Sequence, residues 1–211
     1  MSAKPLMRPM PPLEMLEDPS RAFVPSPELE AWARATFIDS DAELVNEEHD
    51  HLNQASIGFV WTILPNARAG QRIVGQCEIM PPAAMGKWAK GRAEQQVEEW
   101  FGAIPHFLIT VDANYALQCD DTEFCSLVEH ELLHAGQEIG PFGPKFRKDG
   151  SPKFAIRGHD VEEFVSIVRR YGVGAAAGAT RALVEAASRR PEIATAQISQ
   201  ACGTCRMLRA A

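Results

Sequence analysis

From Ala55 the chain runs ASIGFVWTIL, dense in β-branched and aromatic side chains, which predicts a strand near residues 56–64. A turn through PNARAG leads to a second strand-like run, QRIVGQCEIM, and the two strands are expected to pair as a hairpin. HFLITVD, residues 106–112, is the strongest strand signal in the chain and a candidate edge for an extended peptide to pair with. Elsewhere the spacing is helical. Ser26-Pro27-Glu28 opens a helix over 27–38 with a capping hydroxyl, a proline at the first position and an early negative charge. A second helical stretch runs through AELVNEEHDHLNQ. Between Ala84 and Phe101, the residues Met85, Trp88, Val97, Trp100 and Phe101 make an apolar stripe, so an amphipathic helix should pack on the sheet. Asp120, with Glu123 three residues on, starts the next helix in the manner of a capping box. A Gly-, Pro- and Lys-rich loop follows it, and HDVEEFVSIVRRYG resumes a helical period. The pattern predicts an α+β protein whose small mixed sheet, of about three strands, is packed with helices.

The length of 211 residues suits one compact domain with appendages. That domain is expected over 26–172. Seven of the fifteen prolines fall in the first 27 residues, so 1–25 reads as a disordered proline-rich arm. The segment 173–211 is alanine-rich, is expected to be helical, and ends in the CxxC of Cys202 and Cys205. Its two thiols are read as free, as a crosslink, or as half of a metal site that would need Cys119 and Cys125, or a second chain, as well. No apolar run approaches the roughly 20 residues of a membrane helix, and the first residues lack the apolar core of an export signal. A soluble, cytoplasmic protein with reduced cysteines is therefore expected. The net charge of −7 offers nothing to neutralise phosphates, which makes nucleic acid an unlikely class of partner.

The chemistry concentrates in VEHELLHAGQ, residues 128–137. Residues four apart on a helix are offset by about 40° and about 6 Å, so His130 and His134 point the same way and can share one Zn²⁺. Glu131 is turned by about 100° and reaches beside such an ion, where it can act as general base. A catalytic zinc needs a third protein ligand and an open position. RGHDVEEF offers His159, and Glu162 or Glu163 as rivals; spacing does not separate them. The pair His49 and His51, within EEHDH, reads as part of a solvated polar face.

HELLHA followed by GHDVEEF resembles the SprT-like and related metallopeptidases, in which an HExxH helix is followed, after a variable loop, by a short histidine-bearing segment. The arrangement of the whole chain is also similar to the metallopeptidases of bacteriophages and prophages. The resemblance covers roughly residues 27–171. It implies a zincin-like fold, His130, His134 and His159 as zinc ligands, Glu131 as the catalytic base, and a peptide or protein as substrate. A non-catalytic metal-binding protein that keeps the same helix is the alternative.

Overall fold

The computed structural model of the chain describes residues 7–18, 20–68, 70–83, 85–161, 165, 168–169, 172–174, 178–196, 201–202 and 204. The fold is α+β, as the pattern predicts, but its sheet is larger than about three strands. Six strands are joined: β1 (Phe23–Pro25), β2 (Ile57–Thr62), β3 (Asn66–Arg68), β4 (Gln71–Ile79), β5 (Phe107–Asp112) and β10 (Ala201–Cys202). The order is β1-β2-β5-β4-β10, with β3 paired to β4. The strands missing from the sequence reading have two or three residues each, too short to show a period.

The expected hairpin between β2 and β4 does not form. β5 lies between them, parallel to β2 and antiparallel to β4. All six residues of β2 are buried, and such a two-sided apolar strand needs a neighbour on each side and a helix over each face. The true hairpin is β3 with the start of β4, turning at Gly70, whose φ of +75° is left-handed. Because β5 is interior, it has no free edge for a peptide; the far edge of β4 pairs with β10, the last strand on that side of the sheet.

The two faces of the sheet are covered differently. Ile57, Phe59 and Trp61 of β2, with Phe107, Ile109 and Val111 of β5, pack on α2 (Pro27–Ala33) and α5 (Asp121–His134), which the short α4 (Ala113–Ala116) joins to β5, to form the main core. On the other face, Val60 and Leu108 meet Val97, Trp100 and Phe101 of α3 (Lys87–Phe101). A Cβ on Gly58 would come within 2.9 Å of the Phe101 ring, so this face admits α3 only because Gly58 lacks one. Met85 and Trp88 do not join the stripe on α3; both are exposed.

The arm expected over 1–25 as disordered is anchored to the body at several of its described residues. Met15 of α1 (Leu13–Glu17) is fully buried, β1 pairs with β2, and Arg8 donates to the carbonyls of Ala116 and Cys119 while its guanidinium stacks over Phe124. Gly178–Ala187 is helical. No helix among the described residues is long and apolar enough to cross a membrane.

Candidate metal centre

α5 begins at Asp120, whose carboxylate accepts from Glu123 N at 2.8 Å. Phe124, Leu127, Val128, Glu131 and Leu132 are buried, so the spacing that drives the helix onto the sheet takes Glu131 into the core with them. His130 and His134 lie along the flank of that face; His134 is buried and His130 half-buried.

The helix ends before Gly136. It stops at His134, and Ala135 runs directly into β6 (Ala135–Gln137), which pairs antiparallel with β9 (Phe154–Ile156). A hairpin of β7 (Ile139–Gly140) and β8 (Gly143–Pro144) lies between them. Gly136 has a packing reason instead, since a Cβ there would meet Arg157 Cβ at 2.9 Å. This return of the chain closes the 25-residue gap between His134 and His159. Arg157 N donates to His134 O at 3.0 Å, and His134 Nδ1 donates to Arg157 O at 2.6 Å. With Nδ1 carrying the proton, the Nε2 lone pair of His134 is left to face the cluster. Arg157 also pairs with Glu48 and Asp160, tying the segment to the 3-10 turn Glu47–Gln54. That turn is not a solvated face throughout: His49 is buried, and the His51 ring meets Ala135 O at 2.7 Å.

Nε2 of His130 lies 3.2 Å from Nε2 of His134 and 3.3 Å from Nε2 of His159. Two nitrogens each about 2.0–2.1 Å from a tetrahedral zinc stand about 3.3–3.4 Å apart, so the residues present fit one such ion. The structure thus brings together the three histidines singled out in the sequence. Glu162 and Glu163, the rival ligands, lie outside the described residues, as do Tyr171 and Cys205.

Glu131 has no solvent exposure. Its Oε1 has no hydrogen-bond partner among the described residues, and its carboxylate lies against Gly75 of β4. Oε2 is 3.5 Å from Cys202 Sγ and 3.5 Å from Thr204 Oγ1. Burial, and next the nearby Cys202, push the Glu131 pKa well above the usual carboxylate range, against the opposing pull of His130 and His134. Burial also works against charging His134, but hydrogen bonds to Cys202 and to Arg157 O leave its pKa raised.

Sequence reasoning missed Thr204, and it set Cys202 apart from this centre, as a free thiol or as half of a separate metal site. Cys202 Sγ and nitrogens of His130 and His134 all lie within 4.8 Å of one another. The CxxC is a visible metal-ligand signal, but its distance from the helix, some seventy residues, hides its partner. Cys77, Cys119, Cys125 and Cys202 are free thiols.

A helix-borne imidazole cluster beside a buried carboxylate, under the edge of a mixed sheet, defines the class: an α+β protein with a candidate metal centre. Residues 30–188 match the family described as "Putative phage metallopeptidase", and the chain belongs to that family. The family implies a metal and a peptide or protein substrate. Comparison with curated proteins and with solved structures returned no match.

Proposed function

We propose that the chain is a zinc-dependent peptidase of zincin-like fold, in which His130, His134 and His159 hold the metal and Glu131 is the general base. The reading rests on one observation above others, the convergence of three Nε2 atoms at 3.2 and 3.3 Å spacings. Neutral imidazoles are good zinc ligands, and three of them leave a fourth position open. Zinc, when bound, supplies Lewis-acid activation of water and of the scissile carbonyl. Glu131 takes a proton at its carboxylate and passes it to the leaving amine. The peptidase unit is 26–172, completed by α1 and β1 from before it and by β10 from the segment beyond it, and a reducing cytoplasm keeps its thiols free.

The deciding variant is Glu131→Gln, which is expected to retain its metal and lose about 10²–10⁴-fold in kcat/KM on an unstructured peptide substrate. Activity at the wild-type level with metal bound contradicts the assigned role. One observation favours a second reading: Cys202 Sγ beside His130 and His134 offers a fourth donor, and four protein ligands are the mark of a structural zinc site. The chain would then be a non-catalytic metal-binding protein, with metal bound and peptide cleavage absent from the wild type and from every variant.

A further inference from the structure

We propose that the C-terminal segment bearing Cys202 is a built-in inhibitor, docked on the edge of β4 so that its thiol fills the open metal position and the side chains of Cys202 and Thr204 cover Glu131. This rests on the zinc reading above and names the regulation of that same site.

Three independent contacts place the segment there. β10 pairs parallel with β4, aligning Ala201 with Ile73 and Cys202 with Gly75. Thr204 is buried, and its Oγ1 accepts from Cys77 N and reaches Cys77 O, both at 2.7 Å. Cys202 Sγ then lies within 4.8 Å of ligand nitrogens of His130 and His134 and 3.5 Å from Glu131 Oε2. Further back, Pro191, Ile193 and Ala196 wall a cavity of about 570 Å³ whose other side is His130, Leu133 and Ser126 of α5. Residues 191–196 therefore lie along the cleft beside His130.

The consequence is steric as well as chemical. A hydrolytic site needs its base in reach of water, and Glu131 has no exposure with Cys202 and Thr204 against its Oε2. A catalytic zinc needs an open position, and a thiolate is a strong zinc ligand. A zinc ion held there would take the Cys202 sulfur as a thiolate, the S–H proton being released to solvent as the metal–sulfur bond replaces it. The outer edge of β4 is also where an extended substrate would add as a strand, so segment and substrate exclude each other. Among the described residues, a two-residue strand and the bonds of one threonine fix it to β4. Being tethered, so small a contact suffices to keep the site filled, yet a competing strand can displace it.

The test uses full-length protein loaded with Co²⁺, whose thiolate complexes show an intense near-ultraviolet sulfur-to-metal absorption that imidazole ligands lack. The wild type is expected to show this band. Cys202→Ala is expected to bind Co²⁺, lose the band and cleave an unstructured peptide roughly tenfold faster or more, as when a competent fraction of about a tenth becomes the whole. Thr204→Val, which keeps the thiol but loses its bonds to Cys77, is expected to weaken the band and raise turnover, and it serves should Cys202→Ala fail to fold. Co²⁺ bound to the wild type without the band, or Cys202→Ala no faster than the wild type with metal bound, overturns this proposal and leaves the zinc reading standing. Co²⁺ bound by neither protein overturns the zinc reading and this proposal with it.

Discussion

Glu131 and Gly75 face each other across the interface of α5 with β4, and the glycine is what lets the carboxylate sit there. A Cβ on Gly75 would stand 2.7 Å from Glu131 Oε1 and 2.8 Å from Leu127 Cδ1. Leu127 is a core side chain with little freedom to move, so the clash falls on the helix as well as on the carboxylate. Gly75→Ala is therefore expected to destabilise the fold by about 1–3 kcal/mol in urea denaturation and to lower activity by moving the base. Wild-type stability together with wild-type activity would show that Glu131 is not held as described. The identities of His130, Glu131 and His134 were legible at this scale because four-residue spacing on a helix fixes direction. Their environment was not: that Glu131 would be fully buried depends on Leu127, Val128 and Leu132 facing the sheet together with it, and on Cys202 arriving from the far end of the chain.

At the scale of elements, α5 is the piece on which the centre depends, and its start is defined by one side chain. Asp120 accepts from Glu123 N, so Asp120→Ala leaves a helix-terminal donor without its cap and is expected to cost about 1 kcal/mol, read from the urea midpoint. An unchanged midpoint would mean that tertiary packing alone fixes where α5 begins. Strong local signals carried over from sequence to structure: the Ser26 cap of α2, the Asp120 cap of α5, the run that became β5. Pairing did not. Which strands neighbour β2 depends on contacts across fifty residues, and the ASIGFVWTIL run shows only that both its faces want burial. The β6–β9 pair that delivers His159 is three residues per strand, and no periodicity announces it.

For the whole molecule, a buried histidine outside the centre sets an acid limit on stability. Neither ring nitrogen of His49 has a hydrogen-bond partner among the described residues, and burial, with His51 nearby, pushes its pKa from 6.5 down to about 4. The unfolded chain takes up this proton first, as pH falls below about 6.5, while the folded chain resists until about pH 4. The contribution is thus fully present above that first pH, and about 3 kcal/mol of it is gone by pH 4. His49→Leu should remove this dependence, so that between pH 7 and pH 4 the wild type loses more stability than the variant by about that amount. Parallel stability profiles would rule it out.

The whole account turns on whether three histidines drawn from α5 and from the segment after β9 hold a metal ion together. Elemental analysis of the full-length protein, purified without chelator, measures this directly for the wild type and for His134→Ala. About one zinc per chain in the wild type and its loss from the variant is the result predicted. Zinc absent from the wild type, or retained undiminished by His134→Ala, contradicts it.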